Sequence, residues 1–167
     1  FVKKSWLKNL SGEALEIEIV DGLQNILPSG VNSLLQNGRS TLVDAYKKNE
    51  LIKDSSLAIY SLSARIVDKA EPAEALRANT IWSSGLKPET ILLSSLQLDN
   101  FRRGIALKEE SFVKATKGAY FIRSSFQLEA AAEKDWCYVA ELNQSSAQVA
   151  KLIAALKDES QLLDNLN

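Results

Sequence analysis

The stretch "GEALEIEIVDGLQNILPSG", Gly12 to Gly30, decides how the first half of this chain is read. Leu15, Ile17 and Ile19 alternate with Glu16 and Glu18, the period of a strand with one buried face. Leu15, Ile19, Leu23, Ile26 and Leu27 also form a stripe of helical period that closes at Pro28. The helical stripe accounts for more positions and runs past the alternating ones. A helix is therefore the expectation.

Working outward, "FVKKSWLKNL" spaces Phe1, Val2, Trp6 and Leu10 in a helix-compatible way. After the Pro28-Ser29-Gly30 break, Val31, Leu34 and Leu35 open another helical pattern, weakened at Gly38 and continued by Leu42, Val43, Tyr46 and Ile52. Asp54 or Ser55 is placed to cap a helix with the apolar face Leu57, Tyr60, Ala64 and Val67. Pro72 suits the first turn of a short helix carrying Ala73, Leu76 and Trp82 and ending near Gly85.

From Pro88 the character changes. "TILLSSLQL" reads as a strand before a turn at Asp99-Asn100, and "RGIALKE" alternates Ile105 and Leu107 with polar neighbours. "SFVKATKGAYFIRSSFQL" reads as a hairpin turning at Lys117-Gly118, and "DWCYVAEL" as a further strand. The stripe Val149, Leu152, Ile153 and Leu156 then returns to helical period. The expected fold is α+β in one domain, 1–167: a helical lead-in over 1–85, an antiparallel sheet of about four strands over 90–142, and a C-terminal helix over 145–165.

Composition narrows the chemistry. Twenty basic and 21 acidic residues leave a net charge of -1, so no global field draws in nucleic acid or an anionic membrane. The chain contains no histidine and one cysteine, Cys137. That removes imidazole-based nucleophilic machinery, cysteine-based metal sites and an internal disulfide framework. No Walker loop, GxGxxG or GxSxG motif is present. The expectation is a protein with no catalytic residues, no metal and no cofactor. The carboxylate pairs Glu16/Glu18 and Glu109-Glu110 do not oppose each other as glycosidic carboxylates do. No apolar run reaches the length of a membrane span, so membrane contact is expected only through segments outside this chain. A chain that opens at Phe1 and lacks Met is read as a processed or excised piece.

Period-two geometry puts Tyr120, Ile122, Ser124, Phe126 and Leu128 on one face of their strand, and Trp136, Tyr138, Ala140 and Leu142 on one face of the next. Those apolar faces are expected to form the core against the helices, with Trp136 and Tyr138 lining a pocket in part through their polar ends. The opposite face carries Arg123 and Ser125, where a forked guanidinium suits a carboxylate or phosphate. Its plain alternative is a cross-strand pair with a glutamate. Arg102 and Arg103 of "FRRG" stand near a strand end, where an anion could dock. Arg123, Ser125, Trp136, Tyr138, Arg102 and Arg103 are thus the candidate ligand-binding residues.

The ending "DWCYVAELNQSSAQVAKLIAALKDESQLL" resembles the closing portion of extracytoplasmic Cache-type sensor domains of bacterial receptors. In those domains a last strand opening with tryptophan leads through an acidic residue into a return helix. The likeness covers about 30 residues. It implies small-molecule sensing without catalysis, in an extracytoplasmic domain of a membrane protein; the residues themselves do not state the compartment. The expected function is a non-enzymatic ligand-binding or sensing domain. The alternative is a structural or protein-protein interaction module that seats a partner helix, or a second copy as a homodimer, on an apolar helix face.

Overall fold

A computed structural model describes residues 1–63 and 77–164. The strands are β1 (Val2–Lys8), β2 (Leu15–Ile26), β3 (Lys47–Leu51), β4 (Ala58–Leu62), β5 (Arg77–Ser84), β6 (Thr90–Leu92), β7 (Phe112–Lys114), β8 (Gly118–Leu128) and β9 (Glu133–Ser145). The helices are α1 (Ser33–Gly38), α2 (Ser40–Tyr46), α3 (Leu98–Arg102) and α4 (Ser146–Asp164). Among the described residues two sheets form: a six-stranded one in the order β1-β9-β5-β4-β3-β7, and a three-stranded one in the order β2-β8-β6. All pairings are antiparallel.

The expected α+β fold with a helical first half is overturned: the described chain is mostly strand, and it opens with one. The Gly12–Gly30 stretch takes its period-two reading. β2 pairs along its length with β8, from Leu15 opposite Leu128 to Ile26 opposite Gly118. Ile17, Ile19 and Val20 suit a pleated surface. Gly22 weakens a helix interior but is needed here, because a Cβ on it would stand 1.9 Å from the Tyr120 carbonyl oxygen across the pair.

The other helical expectations fail in the same way. Phe1 to Leu10 contains β1, with Lys3, Ser5 and Leu7 half-buried and the residues between them exposed. Leu57 and Tyr60 do not share a helix; Ala58, Tyr60 and Leu62 point inward from β4. Ala64 and Val67 of that expected stripe lie outside the described residues, as do Pro72, Ala73 and Leu76. Trp82 belongs to β5. The pattern from Val31 to Tyr46 is helical, split into α1 and α2 at Arg39, and Asn32 caps α1 by accepting from the Leu35 N–H at 2.8 Å. It stops at Lys47, where β3 begins.

In the second half, the sheet of about four strands gives way to two sheets. The hairpin expected at Lys117-Gly118 does not form, since β7 pairs with β3 while β8 pairs with β2 and β6. Gly118 is required for close approach instead: a Cβ there would meet the Tyr60 ring at 2.9 Å. The Asp99-Asn100 turn lies inside α3, and Ile105 to Glu109 forms no strand. A helix does follow β9, as α4.

The core lies between the sheets. Ala58, Tyr60, Ile81, Trp136 and Tyr138 of the large sheet pack with Ile91, Tyr120 and Ile122 of the small one, joined at its margin by Ile19, Leu23 and Phe126. The apolar faces of β8 and β9 therefore meet each other and not helices, which corrects the expected packing. Tyr60 donates to the Ala119 carbonyl and Tyr120 to the Ser56 carbonyl, each at 2.6 Å, so buried hydroxyls tie the layers together. A smaller cluster, Leu92, Ala119 and Phe121, packs under Leu98 and Leu107 on the far side of the small sheet.

Candidate functional site

The six sequence-derived candidates fall in three separate places. Trp136 and Tyr138 point into the space between the sheets, 8% and 0% exposed. Trp136 Nε1 donates to Asp21 Oδ2 at 2.8 Å, Ser5 Oγ to the same oxygen at 3.0 Å, and Lys3 Nζ to Asp21 Oδ1 at 2.7 Å. The Lys3 ammonium also sits 5.2 Å from the centre of the Tyr138 ring. Burial pushes the Asp21 carboxyl up, but the hydrogen bonds from Lys3 and Trp136 and the Lys3 charge outweigh it, so the group is held below its ordinary range. The Tyr138 hydroxyl, buried near that carboxylate without a well-formed hydrogen bond, is pushed far up by burial and by the negative charge. Asp21 is the hub of this cluster. It is also the one polar residue on the inner face of β2, between Ile19 and Leu23. The alternating reading of the sequence would have singled it out.

Arg123 and Ser125 lie on the opposite face of β8. Arg123 Nε donates to Glu18 Oε1 at 2.6 Å and its terminal nitrogen to Glu89 Oε2 at 2.7 Å. Glu89 also accepts from the Ser125 N–H and hydroxyl, each at 3.2 Å. The guanidinium is thus engaged by two carboxylates of its own chain. Arg102 ends α3 and pairs with Asp99 at 2.6 Å, both well exposed, and Arg103 follows in solvent.

Two further polar residues have structural work. Glu110 accepts from the Leu93 N–H, the Ser94 hydroxyl and the Gln97 amide, bracing the loop after β6. Asn9, 3% exposed, donates to the Glu13 and Leu128 carbonyls and locks the turn from β1 to β2. Among the described residues no three His, Cys, Asp or Glu side chains gather as a metal site.

What remains is surface. On the outer face of the large sheet, Val2, Val139 and Trp82 form one row across β1, β9 and β5. Val2 is 53% exposed and Trp6, further along β1, is 66% exposed, with Lys4 and Lys8 beside it. α4 covers a different part of this face through Val149, above Ile59 and Ser61, leaving a groove of about 270 Å³ that also runs past Arg77 and Ile153. Sequence reasoning passed over this row because it read β1 as helix. A second recess, of about 240 Å³, opens between the end of β2, α1, the start of β3 and Lys117.

No protein-family model matches this chain, and no curated protein matches its sequence. Among the described residues no helix is long and apolar enough to cross a membrane.

Proposed function

We propose that this chain is a non-enzymatic interaction module that docks a partner protein on the outer face of its six-stranded sheet. The observation that carries this reading is the outer face of β1, with Val2 in solvent beside Val139 and Trp82, and Trp6 in solvent further along the strand. An exposed tryptophan on the same sheet face as the apolar row Val2, Val139 and Trp82 has the composition of an interface anchor, where a few large side chains hold most of the binding energy. Lys4 and Lys8 flank Trp6 along β1, while Asp135 lies opposite it and Glu133 opposite Lys8 on β9, so the complementary surface is apolar with groups of both charges at its rim. The absence of histidine supports recognition over transformation. A sensing role through Arg123 and Ser125 has less support, because an incoming anion has to displace Glu18 and Glu89.

A photo-crosslinking residue placed at Trp6 in the native cellular setting tests this, with one at Leu96 as control. Leu96 is 71% exposed and lies on the loop after β6, away from the row. The expected result is a single protein trapped from position 6 and lost when Val2→Lys is added. Equal, heterogeneous trapping from both positions overturns the reading.

A further inference from the structure

We propose that the recess between α1 and β3 binds a small carboxylate that carries a neighbouring O–H donor, the chemistry of an α-hydroxy acid. The recess holds about 240 Å³ and is lined by Asn25, Leu27, Ser33, Gln36, Asn37, Lys47 and Lys117. This site is independent of the sheet face assigned above to a protein partner.

Three unmet polar capacities converge there. Lys47 is 2% exposed, yet among the described residues its ammonium, which has three donors, is given one partner, Asp44 at 2.8 Å. Gln36 donates through Nε2 to Asp44 Oδ1 at 3.2 Å, which fixes the amide orientation and leaves Oε1 buried with no partner. Lys117, exposed at the mouth, adds a second cation close enough to act on Asp44.

The charges define the ligand. Two ammonium groups against one carboxylate leave a surplus of one positive charge, which matches a monoanion. Gln36 Oε1 is an acceptor only, so the occupant must also bring a donor. Acetate supplies the charge alone and glycolate supplies both, whereas the ammonium of zwitterionic glycine cancels its charge. The volume suits molecules of this size and is small for a drug-sized ligand.

Amide chemical-shift titration of the whole chain tests this with glycolate, glycine and acetate. The expected result is saturable shifts at Gln36, Lys47 and Lys117 with glycolate, and binding of acetate and of glycine weaker by about fivefold or more. Lys117→Ala, an exposed change that leaves the melting temperature alone, is expected to weaken binding by about fivefold. No saturable shift up to about 50 mM, meaning a recess filled by water only, overturns the proposal. So does binding that Lys117→Ala leaves unchanged, or acetate or glycine binding as tightly as glycolate.

Discussion

Trp136 Nε1 donates to Asp21 Oδ2 across 2.8 Å, and that bond joins β9, one strand in from the edge of the six-stranded sheet, to the inner face of the three-stranded one. The same carboxylate holds Lys3 and Ser5 of β1. One side chain therefore satisfies three donors at the margin of the core.

Removing that acceptor strands all three. Asp21→Ala is expected to lower the unfolding free energy by about 2 kcal/mol, with Lys3 partly rescued by water because it is partly exposed. Trp136→Phe, which deletes one donor and keeps the packing, is expected to cost about 1 kcal/mol. Urea denaturation measures both, and equal losses for the two variants count against Asp21 as the hub.

Acid should weaken the fold through two carboxylates held below their ordinary value of 3.8. In each, burial raises the pKa but is outweighed, at Asp21 by Lys3 and Trp136, at Asp44 by Lys47 and Gln36. A depressed folded pKa gives stability that is complete well above 3.8 and lost as pH falls below it. Unfolding midpoints measured down to pH about 2 should fall in that window, less steeply in Asp21→Asn. An unchanged acid slope in that variant contradicts the hydrogen bonding described.

Gly22→Ala drives a methyl against the Tyr120 carbonyl and must part β2 from β8 locally. A loss of about 2–4 kcal/mol is expected. Gly12→Ala is the control, since nothing lies within 4 Å of its added carbon. Similar stabilities for the two variants in a denaturant titration refute the close approach.

The buried ammonium of Lys47 depends on Asp44. Asp44→Asn should destabilise by about 2–3 kcal/mol, because it leaves a buried charge without its counter-ion. Adding Lys47→Met should recover part of that loss. A double variant less stable than Asp44→Asn alone argues against charge burial as the cause.

Arg123→Ala offers the contrast. Its partners Glu18 and Glu89 are 50% and 39% exposed, so solvent screens both pairs. The expected cost is below about 1 kcal/mol. A loss several times larger in thermal unfolding would give this network a weight its exposure does not support.

Legibility along the chain followed the strength of local period. β8 and β9 alternate over 11 and 13 residues, long enough for pattern alone to locate them and sort their faces. The helix after β9 and the split helix near Gly38 were likewise visible in their stripes. β4 was not, because a five-residue strand beside further apolar residues offers a helical stripe as readily as an alternating one. Of the candidate residues, Trp136 was placed where a buried indole needs a partner, but that partner, Asp21, sits 115 positions away. Arg123 was legible as a paired cation, while the identity of its two carboxylates depended on which strands flank β8.

The residue order alone determined that this chain holds no imidazole and one thiol, so catalytic and metal-binding sets built on those groups cannot form within it whatever the fold. It also determined which side of β8 and β9 is apolar. Tertiary structure alone decided that Leu15–Ile26 is a strand, since both periods fit its residues and only hydrogen bonding to β8 separates them. It decided as well that the two long strands lie in different sheets. Sheet partnership is set by contacts between residues far apart in sequence, and those leave no periodic trace in either segment.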